Sequence, residues 1–83
     1  MIDYEQVALD LVAPIVDDID SISVKRIDAS RNEIILYIYA SSDDVARLIG
    51  RRGIMASSIR QMMSVAAKNE HKVISIKFET QDA

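Results

Sequence analysis

The sequence predicts an α+β domain, a three-stranded sheet with three helices on one face, in the order helix, strand, strand, helix, helix, strand. Three observations carry that expectation. Residues 33–40 alternate, with Ile34, Leu36, Ile38 and Ala40 on one side and Ile35, Tyr37 and Tyr39 on the other, as in a strand with one buried face. Residues 4–16 and 54–68 instead repeat apolar side chains at helical steps. The only two glycines, Gly50 and Gly53, stand three positions apart between apolar stretches, which reads as a helix, a tight turn and a second helix. Helices with one apolar stripe and a sheet with one apolar face cover each other as two layers.

The first helix is expected from Tyr4 to about Val16, with Val7, Ala8, Leu11, Val12 and Ile15 as its stripe; Pro14 should kink it or end it soon after. Asp17, Asp18 and Asp20 follow. Acids are unfavourable at a helix C-terminus, and no further ligand cluster accompanies them, so they read as a solvated connection and not a metal site. Ile22–Asp28 reads as a strand. Ile22 and Val24 share a parity that Ile27 breaks, which leaves room for a bulge or an early end. Residues 29–32 are of hairpin-turn length, and Glu33–Ala40 is the clearest strand. Its aliphatic set belongs in the core. Tyr37 and Tyr39 then lie on the outer face or an edge, where they can stack bases, meet a partner or shelter under loops.

Ser41 is placed to cap the next helix, with Asp44 three residues on completing a capping box, weaker than glutamate would. Val45, Leu48 and Ile49 form its apolar edge, Arg47 falls opposite, and Gly50 ends it. From Gly53 a longer helix runs to about Lys68. Met55, Ile59, Met62, Met63 and Ala66 are expected on its core face, and Ser57, Arg60, Gln61, Ser64 and Lys68 on the other. Residues 69–72 form a polar loop in which His71, the only histidine, is solvated. Val73–Glu79 is the last strand, with Ile74, Ile76 and Phe78 inward, and the final four residues are expected to fray.

At 83 residues the chain is expected to form one domain over 1–83, with an ordered core over about 4–79. A hydrophobic fraction of 49% is ordinary for a globular chain and sufficient for a core. With no cysteine, disulfides and thiolate metal sites are excluded. No apolar run approaches the roughly 18 residues of a membrane span, and Asp3 and Glu5 at the start argue against a signal peptide, so the expected location is the cytoplasm.

The net charge of −3 argues at first against a nucleic-acid partner, but the charge is unevenly divided. Residues 1–44 hold three basic and ten acidic side chains; residues 45–77 hold seven basic ones and a single acid, Glu70. A polyanion responds to the local field. The centre of the basic half is Ile49-Gly50-Arg51-Arg52-Gly53-Ile54, where glycines admit a backbone closely and the following helix start carries partial positive charge. Phosphate is the natural guest there.

The apolar residue followed by Gly-x-x-Gly, the two flanking helices and the αββααβ order resemble the KH domain in its bacterial, type II arrangement. Chain length and the spacing from Leu48-Ile49-Gly50-Arg51-Arg52-Gly53-Ile54 to Ile59-Arg60 look like the KhpA family of small free-standing KH proteins. The resemblance covers Tyr4 to Glu79 and is strongest over Ser42–Arg60. Many such proteins carry glycine or another small residue at the position of Ala46 and lysine within the loop; this chain has Ala46 and Arg51-Arg52, which keep the charge.

The resemblance implies an RNA-binding protein with an RNA-chaperone role, a homodimer, and a larger KH-containing partner, KhpB (Jag or EloR), tied to cell elongation and cell-wall homeostasis. Single-stranded RNA is the expected ligand, held as four nucleotides across a groove beside the loop. Gly50 and Gly53 would admit the backbone, Arg51 and Arg52 would meet phosphates, and Ile49 and Ile54 would flank them, with Arg47 nearby. Val45, Leu48 and Ile49 can floor the groove or simply pack in the core. Lys72 is expected on an opposite rim. The alternative is a protein-interaction module using the methionines of the long helix and the outer tyrosines, with incidental RNA contact. No phosphate loop, metal-binding spacing or nucleophile–base set is present, so neither enzyme activity nor a cofactor is expected.

Overall fold

Asp3 starts the first helix: its carboxylate accepts the N–H of Gln6 at 3.1 Å, satisfying one of the donors that a helix start leaves free. The structure, a computed structural model, describes residues 2–81. Helix α1 spans Tyr4–Val12, shorter than the expected reach to Val16. Pro14 is the cause: it has no N–H for the ladder, and its ring would press on the carbonyl of Asp10. The chain turns here, with the Ile15 N–H donating to Val12 at 2.9 Å. A short 3-10 turn follows at Ile19–Ser21, a feature the sequence did not signal.

Strand β1 (Ser23–Asp28) pairs antiparallel with β2 (Glu33–Ala40) in an unbroken register from Ser23 opposite Tyr39 to Asp28 opposite Ile34. There is no bulge; Ile27 simply points to the outer face with Ser23 and Lys25. Strand β3 (Val73–Thr80) pairs parallel with β2 on its other side, so the sheet order is β1-β2-β3. A parallel pair needs a crossover. Helices α2 (Ser42–Ile49) and α3 (Ile54–Lys68) supply it. The αββααβ order and the three-stranded sheet are those expected.

The core lies between the sheet and the helices. Ile34, Leu36, Ile38 and Ala40 of β2 pack with Tyr4, Ala8 and Val12 of α1, Val45 and Leu48 of α2, and Ile59, Met63 and Ala67 of α3. Each fully buried large aliphatic side chain contributes roughly 1.5–3 kcal/mol. The α3 stripe differs from expectation. Ala56, Ile59, Met63 and Ala67 are buried, whereas Met55 and Met62 are exposed. Each methionine, one position before a buried residue, is turned about 100° away.

Tyr4 joins three elements. Its hydroxyl donates to Glu70 in the turn after α3, and the Arg26 guanidinium lies 5.6 Å from its ring centroid. Burial, then the bond to Glu70, pushes the phenol up to about 12, while accepting that bond holds the Glu70 carboxyl below its usual range. At the C-terminus, the expected fraying is contradicted for two residues. Thr80 closes β3 and the Gln81 N–H donates to Ala40 at 3.0 Å; residues 82 and 83 lie outside the described residues. Tyr37 and Tyr39 stand on the outer face, half-buried, with ring centroids 6.2 Å apart and planes inclined by 20°.

Candidate nucleic-acid interface

The link between α2 and α3 is set by backbone conformation. Gly50 has φ 73° and ψ 178°, Arg52 φ 57°, and Gly53 φ 76°, all at positive φ, outside the region that L-residues favour. A Cβ at Gly50 would lie 2.8 Å from the Cβ of Met55; at Gly53 it would meet nothing within 4 Å. Gly50 is therefore required for the bend to close on α3, and Gly53 leaves open room above it. Arg52 is an arginine held in a conformation that ordinarily costs about 1–3 kcal/mol.

The side chains here face outward. Ile49 is 41% exposed and Ile54 64%, whereas Val45 and Leu48 are buried, so of the proposed apolar floor only Ile49 is accessible. Arg51 and Arg52 are exposed, with no ion-pair or hydrogen-bond partner among the described residues. Arg47 is tied down: its Nη1 donates to Asp44 Oδ1 at 2.7 Å. The helix starts differ as well. Asp3 and Ser41 cap α1 and α2 with their side chains, and acids follow in both first turns. The start of α3 has no side-chain cap and no acid in its first turn, which leaves its partial positive charge unopposed beside two arginines.

A family model for the KH domain of KhpA and KhpB matches residues 5–79. The chain belongs to the KhpA/KhpB KH-domain family. No curated protein matches the sequence. Membership supports a KH-type RNA-binding role, since KH domains clamp the backbone of four nucleotides with the Gly-x-x-Gly loop; such domains are typically not enzymes. No helix among the described residues is long and apolar enough to cross a membrane.

Within the KH frame, Ile49, Gly50, Arg51, Arg52, Gly53 and Ile54 come together at one bend, with Arg47 in the last turn before it. Lys72 does not join them. It follows the C-terminal end of α3, whose 15 residues extend about 22 Å from the loop. Arg60, which spacing alone could not assign, lies between: its Nε donates to the Ile76 carbonyl at 3.2 Å and its guanidinium sits 5.4 Å from the Phe78 ring centroid. Only tertiary contact reveals that position.

Asp44 also departs from expectation. Ser41 caps α2 by accepting the Asp44 N–H at 3.2 Å, but the Asp44 carboxylate does not complete a capping box. It is 1% exposed and accepts the N–H of Asp17 at 2.8 Å and of Asp18 at 3.2 Å. The Asp17 bond, aided by Arg47 and Asp18, holds its carboxyl below the usual range despite burial. Asp44 thereby fastens the connection after α1 to the helix that carries the loop.

Proposed function

We propose that this KH domain grips single-stranded RNA by its backbone at Ile49–Ile54. In this reading Gly53 gives the sugar-phosphate chain room, Arg51 and Arg52 meet phosphates, and Ile49 and Ile54 offer apolar contact to bases. The observation that carries it is the conjunction at one bend of left-handed backbone, two exposed unpaired arginines and the uncapped start of α3. About three phosphate contacts correspond to a log–log salt slope near −2 for single strands. One short groove binds weakly, so useful affinity would come from a homodimer or a second RNA-binding partner of the KhpB type through effective concentration. An RNA-chaperone role in the cytoplasm, serving cell elongation and cell-wall homeostasis, is the biological setting this family suggests.

The test replaces Arg51 and Arg52 with aspartate, a residue that tolerates the left-handed conformation at 52, and titrates a short single-stranded RNA. Loss of binding with an unchanged circular-dichroism spectrum supports the reading. Unchanged binding with an intact fold removes the loop from the mechanism.

A second reading rests on the outer side of α3, where Ile54, Met55, Met62 and Val65 are all exposed. This apolar strip favours a protein contact, and a second copy of the chain is the occupant the homodimer expectation names. Salt-insensitive self-association with no RNA binding would favour this reading over the first.

A further inference from the structure

The tyrosines of β2 have no part in the loop. All three helices pack against the even-numbered side of the strands, which leaves the odd-numbered side facing solvent. On that side the strand register sets outward residues in rows across the sheet. One row places Tyr37 between Lys25 and Lys77, and the next places Tyr39 between Ser23 and Glu79. The four flanking side chains are exposed, and neither lysine has an ion-pair or hydrogen-bond partner among the described residues. With strands about 4.8 Å apart, the two lysines straddle the Tyr37 ring at a backbone span of roughly 10 Å. The rings of Tyr37 and Tyr39 form an offset stack, 6.2 Å between centroids. Rings already held against each other lose little freedom when a further ring joins them.

We infer that this outer face is a second site for single-stranded RNA, on the side of the sheet away from the Gly50–Gly53 loop. A base with an exocyclic amino group stacks on the tyrosine pair and donates to Glu79, and its flanking phosphates meet Lys25 and Lys77. Every base has a face that stacks on an aromatic ring, and a cation on each side of that ring suits a strand whose phosphates flank the base. Glu79 is an acid on a surface that meets a polyanion, and the base edge gives it a use. A carboxylate accepts from the amino group of cytosine, whereas uracil presents a carbonyl there. The other outward acid of β2 and β3, Glu33, lies two rows from Tyr37, roughly 13 Å along the strand. A protein partner is disfavoured by the same rows. The centre of a protein interface is depleted of lysine, and here two lysines bracket it. The inference goes beyond the loop reading and does not depend on it.

The chain has no tryptophan and three tyrosines, of which Tyr4 is buried with its hydroxyl on Glu70. A change in tyrosine emission on adding RNA therefore reports on Tyr37 and Tyr39. The experiment titrates cytidine and uridine tetranucleotides into the full chain and into an Arg51→Gln with Arg52→Gln variant that weakens the loop. Tyrosine emission is followed, and anisotropy where the oligonucleotide is labelled. Cytidine should quench emission in both proteins and should bind the arginine variant about fivefold more tightly than uridine. In that background, Tyr37→Val with Tyr39→Val keeps strand propensity and should weaken cytidine binding about tenfold. Tyr37→Phe with Tyr39→Phe should retain it. Lys25→Gln with Lys77→Gln should flatten the log–log salt slope by about 1.4, and Glu79→Ala should abolish the preference for cytidine. Cytidine binding by the wild type without quenching overturns the inference and leaves the loop reading standing, as does equal affinity of the valine pair and its parent. A cytidine preference that survives Glu79→Ala also overturns it. So does a changed oligomeric state of the valine pair in sedimentation, which marks the face as a contact between copies. Undiminished binding by the arginine variant, with quenching, removes the loop and leaves this site. Absence of binding to either oligonucleotide by the wild type overturns both readings together.

Discussion

A Cβ placed on Gly50 would stand 2.8 Å from the Cβ of Met55, so the first glycine of the loop is fixed by its contact with α3 as well as by its own φ of 73°. The second glycine is fixed by φ alone. Gly50→Ala should therefore destabilise the domain by about 2–3 kcal/mol through strain and overpacking, and Gly53→Ala by about 1 kcal/mol. Urea unfolding of both variants checks the order. Equal losses would contradict the contact with Met55.

Asp44→Ala should lower the melting temperature by about 5–10 °C, because it leaves the buried-side N–H groups of Asp17 and Asp18 without an acceptor. Asp44→Asn, which keeps an acceptor, should lose less. Amide hydrogen exchange at Asp17 and Asp18 should accelerate in the alanine variant before the strands are affected. Unchanged exchange there would show that the connection is held by something else.

Stability should fall at both ends of the pH range. Asp44 and Glu70 are held below their ordinary values in the folded state, so their contribution is present above the ordinary carboxylate range. It is lost as pH falls past about 4 and through the depressed folded values. Tyr4 is shifted the other way, from 10.0 to about 12, so its contribution is complete below the ordinary phenol value and is lost as pH rises through that window. Tyr4→Phe should remove the alkaline limb. Chemical denaturation across pH is the check, and an alkaline limb that survives in the phenylalanine variant would contradict the assignment.

Val65→Asp and Met62→Gln alter exposed positions of α3 and should leave the monomer folded. If α3 pairs two copies, sedimentation should show the double variant as a monomer, while a single copy retains loop-dependent binding of a tetranucleotide. An unchanged oligomeric state would exclude this face as the interface.

Much of the fold was legible because its signals are local. The alternation of Ile34, Leu36, Ile38 and Ala40, the Ser41 cap and the Gly50–Gly53 bend each depend on residues close in sequence. The buried face of α3 is hard to read because Met55 and Met62 outweigh Ala56 and Ala67 in hydrophobicity, although the alanines are the residues that are buried. Asp44 could not be read either. Its partners are backbone groups 27 and 26 positions away, and a backbone N–H leaves no mark on a sequence. Arg60 and Lys72 show the same limit at the site. The contact of Arg60 with Ile76 and the separation of Lys72 from the loop follow from how α3 lies against β3.

Helix α2 carries Asp43 and Asp44 in its first turn and Arg47 in its last, with Arg51 and Arg52 just beyond. A segment only eight residues long thus separates opposite signs of charge along one axis. In the field of a polyanion such an arrangement experiences a torque, which turns the loop toward the strand before any atom touches. Added salt shortens the range of that alignment to about 8 Å at physiological ionic strength. Arrival rates at low salt should therefore exceed what an acidic molecule of this net charge would otherwise achieve.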